Sequence, residues 1–324
     1  MALVAVVLAV AVGSWACSRG YSGAPESISI GSPPLESSAL LYVAEDRRFF
    51  ADNGLNVSVR DYDTGAAAFN GSLSGEVDIG IPAEYPLVGS AFKRETMSAI
   101  ASIDKVQYFY LLGRKDRGIN SASDLSGKRI GVVRKTIAEF FLGRFLTLHG
   151  IDISQVTLVD VSLSGSEDAI MNGEIDAILS RPPYVDVIEK RLGAKGVVWP
   201  AQSSQALYAV LATRNDWIAG HGEVIKRLFT SLAQAEKYVI EAPGEAKAIV
   251  QSRLKLDDAY MEAVWSQNQF SLTLDQSLVV ALEDEARWMI SSGITDQLEV
   301  PNFLDHIYED PLKAVRPAAV NIIR

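Results

Sequence analysis

The sequence predicts an α/β protein of two doubly wound domains joined by a two-strand hinge, the second domain inserted into the first, with helices at the C-terminus. Three observations predict it. The order strand, helix, strand, helix, strand occurs twice. The phrase Gly-Glu-(Val/Ile)-Asp, then apolar residues, then Pro with Tyr nearby, stands in "SGEVDIGIPAEYP" from Ser74 and again in "NGEIDAILSRPPY" from Asn172. Landmarks also recur in order: Ile30-Gly31 with Ile130-Gly131, Asn53-Gly54 with His149-Gly150, and Gly75 with Gly173, at offsets of 100, 96 and 98 residues. Three matches in one order argue for a duplicated architecture.

The elements follow from local pattern. In the first half "SISIGS" (27–32) is a short β-type run. "ALLYVAEDRRFFADNG" mixes Leu41, Val43, Ala44, Phe49 and Phe50 with charge at helical spacing and ends at Asn53-Gly54, which predicts one helix. "LNVSVRDY" alternates as a strand does, "TGAAAFNGSLSG" is a short helix and "VDIGIP" a third strand. In the second half "KRIGVV", "VTLVDV" and "IDAILS" are strands, and "TIAEFFLGRFLTLHG" and "SEDAIMNG" are helices. "QYFYLLGRKD" (107–116) leaves the first half and "ALYAVLATRND" (206–216) returns to it; both read as strands. From Trp217 onward the pattern is helical, with Pro243-Gly244 separating two helices. The expected division is a leader and linker over 1–25, domain one over 26–112 plus 209–324, and domain two over 113–208.

Composition narrows the function. The chain has 324 residues, 48% of them hydrophobic, enough for one large core or two ordinary ones. Its formal charge of −10 repels phosphate backbones, so nucleic acid is not an expected partner; solubility is the simple reading of that charge. A single cysteine, Cys17, excludes an intrachain disulfide and a Cys-based metal cluster. His149, His221 and His306 stand far apart, in no metal or triad spacing, so neither a metal nor a cofactor is expected. A catalyst needs a nucleophile, base or metal in a fixed constellation. The chain has no Gly-x-Ser-x-Gly and no cysteine within the fold, and an enzyme is not expected. "MALVAVVLAVAVG" is apolar, short for a bilayer span and followed by small residues, as in an export signal. Ser14, Trp15 and Ala16 before Cys17 suit either lipoprotein processing, with Cys17 lipidated, or ordinary signal cleavage.

In open α/β sheets ligands sit beyond the carboxyl ends of the strands, and two such domains facing each other make a cleft with a hinge behind it. "LLYVAEDRRFFADNGLNVSV", "TGAAAFNGSLSGEVDIGIPAEYP", "DLSGKRIGVVRKTIAEFFLGRFLTLHGI" and "NGEIDAILSRPPY", within residues 27–290, resemble the type II periplasmic substrate-binding proteins of ABC importers, in the nitrate/sulfonate/taurine and thiamine-precursor group. The resemblance implies capture of a small molecule outside the cytoplasm and delivery to a membrane permease, without chemistry. A partnership with a membrane receptor kinase fits the same closure physics. A monomer is expected. Related sequences often carry Trp-Glu-Pro where this one has Arg181-Pro182-Pro183, and the Cys-rich motif of the yeast-type pyrimidine synthases is absent.

The candidate ligand residues are the tips of matching strands and the starts of helices. Ala83 and Glu84 end one copy of the repeated phrase and Arg181 ends the other. Glu84 is a candidate acceptor for an amine or protonated ring nitrogen, and Arg181 a fork for a carboxylate or sulfonate. The two are expected to face each other across the cleft, although each also suits a solvated charge. Thr64 and Gly65 open a helix whose N-terminus can bind an anion, and Thr64 equally suits a plain N-cap. Lys135 and Thr136 open another, where Thr136 and Glu139 have capping-box spacing. Ser32 and Pro33 close the first strand, and Gln202 and Ser203 lie near the return crossing. Tyr42, Tyr62, Tyr85 and Tyr184 are candidates for stacking on a flat ligand or for the core. The charges suggest a zwitterion or an organic anion such as a sulfonate; the tyrosines suggest a pyrimidine-like ring.

Overall fold

The computed structural model describes residues 23–134 and 136–324; the leader with Cys17, and Lys135, lie outside the described residues. Chain order in the first half is β1 (Glu26–Ser32), α1 (Ala39–Asp46), α2 (Phe49–Asp52), β2 (Leu55–Asp61), α3 (Gly65–Ser74), β3 (Ile79–Gly80), α4 (Tyr85–Phe92) and β4 (Met97–Val106). The second half runs β5 (Tyr110–Arg114), β6 (Arg129–Val132), α5 (Ile137–Leu148), β7 (Thr157–Asp160), α6 (Ser166–Met171), β8 (Ala177–Ser180), α7 (Tyr184–Leu192) and β9 (Gly196–Pro200). Then follow β10 (Leu207–Arg214), α8 (Asn215–Gly220), α9 (Gly222–Glu241), α10 (Pro243–Leu254), α11 (Asp258–Trp265), α12 (Gln276–Ser291) and α13 (Asp310–Val315).

Two five-stranded sheets have the same plan, β2-β1-β3-β10-β4 and β7-β6-β8-β5-β9. In each, three strands run parallel and the fourth is antiparallel. That antiparallel strand comes from across the molecule: β5 follows β4 but joins the second sheet, and β10 follows β9 but joins the first. The chain passes between the sheets over residues 107–109 and back over 201–206.

The repeated phrase is one structural device used twice. Gly75 and Gly173 end α3 and α6 at φ 79° and 75°, a left-handed conformation open to glycine. The next residue's N–H returns to the helix, Glu76 to Gly71 O at 2.8 Å and Glu174 to Ala169 O at 3.0 Å. Asp78 then accepts from the Ser29 N–H of β1 at 2.7 Å, and Asp176 from the Arg129 N–H of β6 at 3.0 Å. Each carboxylate so fixes the third strand against the first. Gly80 has a separate reason: a Cβ there would lie 2.6 Å from Ala68 O, so α3 packs directly on the β3 backbone.

Some expectations change. The first predicted helix is broken, with Arg48 at φ 63° between α1 and α2. Residues 107–109, expected within a strand, form the crossing instead. Strands β4 and β9 and helices α4 and α7 had no sequence assignment; β4 is buried along almost its whole length, so it shows no alternation.

One apolar core extends from the first sheet and its helices, through Tyr108 and Phe109, to the α5 face of the second sheet. A smaller core of Leu112, Ile170, Ile175, Ile178 and Ile188 fills the face under α6 and α7. Trp288 of α12 joins the domains behind the cleft. It packs 5.6 Å from the Phe140 ring and 6.4 Å from the Tyr85 ring, and a Cβ on Gly143 would meet its Nε1 at 2.5 Å.

The buried Gln202 amide ties the two crossings together. Its Oε1 accepts from the Tyr108 and Phe109 N–H groups at 2.7 and 2.9 Å, and its Nε2 donates to Val106 O and Gln205 O at 3.0 and 2.9 Å. The turn it opens closes through Gln205 N to Gln202 O, with Ser203 and Ser204 at φ 50° and 68°. Replacement of Gln202 by Leu strands buried N–H groups, and chemical denaturation is expected to show a loss of about 2–4 kcal/mol. Ser204→Gly removes a left-handed side-chain conformation and is expected to gain roughly 1 kcal/mol in the same assay. Wild-type stability in both variants would remove the crossing from the stabilising framework.

Candidate functional site

Between the sheets lies a cavity of about 220 Å³ at the ends of the parallel strands. Helix starts from both halves reach it. Thr64 and Gly65 bring the N-terminus of α3, Thr136 and Ile137 that of α5, and Tyr85 and Pro86 that of α4. The first N–H groups of a helix have no intrahelical acceptor and carry the positive end of its dipole, so these ends favour an anion. Arg181 adds a full positive charge from the end of β8 and is the charged side chain among the described lining residues. The remaining wall is largely apolar, including Leu35, Ile81, Phe109, Leu207 and Ala209.

Of the residues singled out in the sequence, Pro33, Thr64, Gly65, Ala83, Thr136 and Arg181 share this lining. Thr64 and Thr136 are also N-caps: Thr64 Oγ1 accepts from Ala67 N at 3.1 Å and Thr136 Oγ1 from Ala138 N at 3.2 Å. Thr136 further donates to Val133 O at 2.8 Å. Gly65 meets a packing demand besides lining the cavity, since a Cβ would sit 3.0 Å from Pro82 Cα. Ser32 lies beneath the wall, donating to Pro33 O at 2.9 Å and bonded to Ser38 Oγ at 2.7 Å. Gln202 is spent on the crossings, and Ser203 lines a different hollow. Lys135 lies outside the described residues. Among the four tyrosines Tyr85 lines the cavity, Tyr42 is buried in the core, and Tyr62 donates to Glu76 at 3.0 Å. Tyr184 opens α7, apart from the lining.

The expected Glu84–Arg181 pairing does not form, because Glu84 turns away from the cavity. It is fully buried, and Oε2 accepts from Tyr208 N at 2.9 Å. Its neighbour is the equally buried Glu285 of α12; Glu84 Oε1 and both Glu285 carboxyl oxygens have no hydrogen-bond partner among the described residues. Burial pushes the Glu84 carboxyl up to about 7, and burial together with Glu84 raises Glu285 well above the carboxylate range. Burial and mutual repulsion thus favour the protonated, uncharged form of both groups.

Arg181 finds its partners elsewhere. Its guanidinium lies 5.4 Å from the Tyr108 ring centroid and donates to Pro182 O at 3.3 Å; Tyr260, whose hydroxyl donates to Glu36 Oε2 at 3.0 Å, acts on its charge together with Glu36. Burial works against the arginine charge, but Tyr108, Glu36 and Tyr260 more than offset it, so the proton is held more tightly than usual. The acid facing Arg181 across the cleft is therefore Glu36, reached through α11. The sequence reading missed Glu36, Tyr260, Tyr108 and Phe109. Only the aromatic run at 107–110 was a local signal; the Glu36–Tyr260 contact spans 224 residues.

The carboxyl pair has a pH consequence. Glu84 has a folded-state pKa raised from 4.5 to about 7, so between these values the folded chain holds a proton that the unfolded chain releases. Stability is then highest below pH 4.5 as far as this group is concerned, falls as pH rises through about 7, and levels off above. Glu84→Gln keeps an acceptor for Tyr208 N and removes the titration. Denaturation at pH 5 and pH 8 is expected to show the wild-type difference reduced in the variant by on the order of 1–3 kcal/mol. An unchanged difference would free Glu84 of this role.

The NMT1/THI5 like family matches residues 36–246. The chain is 28% identical over 201 residues to the taurine-binding periplasmic protein of Escherichia coli, covering 61% of this chain and 62% of that protein. It is 24% identical over 265 residues to a binding protein of Brucella abortus, covering 78% and 79%. In three dimensions it is similar to the periplasmic aliphatic sulphonate binding protein SsuA from Escherichia coli, with a TM-score of 0.75, 13% identity and coverage of 88% and 98%. The desulfurization enzyme DSZB shares the fold at a TM-score of 0.65 and 15% identity, with coverage of 90% and 98%. The family match takes in more than half of the chain, and with the two-sheet architecture it leads to one conclusion: the protein belongs to the NMT1/THI5-like family.

Proposed function

We propose that this protein is an extracytoplasmic solute-binding protein that captures a small organic anion between its domains and delivers it to an ABC importer. One observation carries the reading: helix N-termini from both domains and the Arg181 guanidinium converge on one cavity. An anion held there touches both domains, so binding favours the closed arrangement. The apolar remainder of the wall suits a short carbon chain or a small ring. The lining puts the sulfonate-like expectation ahead of the zwitterionic one, because Glu84 points elsewhere and Glu36 is already engaged through Tyr260. Relatives named for taurine, a zwitterionic sulfonate, and for aliphatic sulfonates support the sulfonate group that both ligands carry.

The leader reading belongs to this proposal. Export places the domains outside the cytoplasm, and lipidation at Cys17 would tether them beside a permease. We read the cavity as a binding site and not a catalytic one, so a captured solute is expected to be recovered unchanged by mass spectrometry.

The test is a thermal-shift series over alkanesulfonates, taurine, carboxylates, pyrimidines and nitrate, followed by calorimetry on the best solute. A ligand that binds only the folded chain raises the melting temperature. Alkanesulfonates are expected to give the largest rise. Arg181→Gln removes a desolvated charged contact, typically about 2–5 kcal/mol, and is expected to weaken binding by at least about thirtyfold. Wild-type affinity in that variant, or a preference for cations or neutral rings, would overturn the anion reading. Scattering at saturating ligand is expected to show a radius no larger than that of the free protein.

A further inference from the structure

Glu36 stands directly behind the wall of the cleft. Its chain neighbours Leu35 and Ser37 line the cavity, while its own side chain is buried outside that lining. There its Oε2 accepts from the Tyr260 hydroxyl of α11 at 3.0 Å. In the wall itself is Arg181, its guanidinium 5.4 Å from the Tyr108 ring centroid.

These groups share one field. Burial opposes the Arg181 charge, and Tyr108, Glu36 and Tyr260 together outweigh it. Burial and Glu36 raise the Tyr260 hydroxyl, and Arg181 lowers it. Asp104 of β4 belongs to the same cluster. It is fully buried, and neither carboxyl oxygen has a hydrogen-bond partner among the described residues. Burial and Glu36 hold it well above the carboxylate range, so its uncharged form is favoured and Glu36 is the carboxylate that answers Arg181.

The charge left for a solute follows from this arrangement. One carboxylate behind the wall offsets the one guanidinium in it, in a medium of low polarity. What remains is the partial positive charge at the helix N-termini of both domains. Those ends suit a single negative charge. A second full charge on the solute meets the field of Glu36 with no formal counter-charge left among the described lining residues.

We propose that Glu36 sets the charge limit of the cleft: from behind Arg181, its carboxylate confines the site to singly charged anions and rejects dianions. Such a limit rests on the cleft being the anion site proposed above, and narrows its solutes by charge. Glu36 acts here without touching the solute. Coulomb energy scales with ligand charge, so a dianion feels twice the repulsion that a monoanion feels. Discrimination of this kind comes from a repulsive element as well as from attractive contacts.

Calorimetry with methanesulfonate and sulfate, at one pH and constant ionic strength, is the test. The two anions are close in size, and neither titrates near neutrality. Wild type is expected to bind methanesulfonate at least about tenfold more tightly than sulfate. Glu36→Gln keeps an acceptor for Tyr260 and removes the charge, and the ratio of the two dissociation constants is expected to shift toward sulfate by on the order of tenfold. Glu36→Asp keeps the charge and is expected to keep the wild-type ratio. A purely structural role for Glu36 would change both affinities alike and leave the ratio unmoved in Glu36→Gln. Should that variant fold poorly by circular dichroism, the wild-type ratio still decides, since sulfate binding as tight as methanesulfonate overturns the charge limit. An unmoved ratio in folded Glu36→Gln, or an equal shift in Glu36→Asp, overturns it too, while leaving the cleft an anion site. Failure of wild type to bind methanesulfonate or any longer alkanesulfonate would overturn the anion reading of the cleft, and the charge limit with it.

Discussion

The two-domain arrangement depends on the side chain of Gln202. Each crossing between the sheets is a short stretch of extended chain whose backbone groups belong to neither sheet. The Gln202 amide bonds to both: its Oε1 accepts from Tyr108 N and Phe109 N on one crossing, and its Nε2 donates to Val106 O there and to Gln205 O on the other. A buried amide with its bonding capacity engaged is worth far more than its net hydrogen-bond energy, because its loss leaves several buried groups without partners. The two exchanged strands, β5 and β10, leave from this point. Tyr108 and Phe109, fixed there, also form part of the cavity wall, so hinge and site share residues.

Charge is managed in two different ways around the cleft. On one side Arg181, in the second domain, is kept charged by Tyr108, Glu36 and Tyr260, and Tyr260 is bonded to Glu36 in the first domain. On the other, Glu84 and Glu285 are buried together, and burial raises both carboxyls toward the uncharged form. The outcome is a cavity whose field comes from helix N-termini and one guanidinium. This is a site tuned by what lies behind its wall as much as by the wall itself.

Duplication explains both the likeness of the halves and the difference between them. The glycine, the backbone return and the aspartate of the repeated phrase perform the same task at Gly75–Asp78 and Gly173–Asp176. Beyond them the copies part. Glu84 turns inward at the start of α4, and Arg181 turns into the cavity before α7. The scaffold residues face the same neighbouring strand in each sheet and so remain alike. The tips face different surroundings, since only the first domain carries α12 behind its tip.

The sequence by itself determined the duplicated α/β plan, the inserted second half and the importance of the strand ends and helix starts. Those features rest on local pattern: apolar periodicity, glycine at left-handed caps, threonine at helix N-termini. It also singled out seven residues that line the cavity, because helix starts and strand tips are placed by that local pattern. Only the tertiary structure decided the rest. Strand β4 was invisible because burial on both faces erases alternation. Gln202 looked like a ligand contact because an amide near a cleft has the same composition whether it holds solute or backbone. Glu36 and Tyr260 could not be joined to Arg181, because they meet it through packing of α11 against a distant part of the chain. The direction in which Glu84 points was set by Tyr208 and Glu285, which lie 124 and 201 residues further along. Local patterns select elements, whereas partners at such separations are selected by the shape of the assembled core.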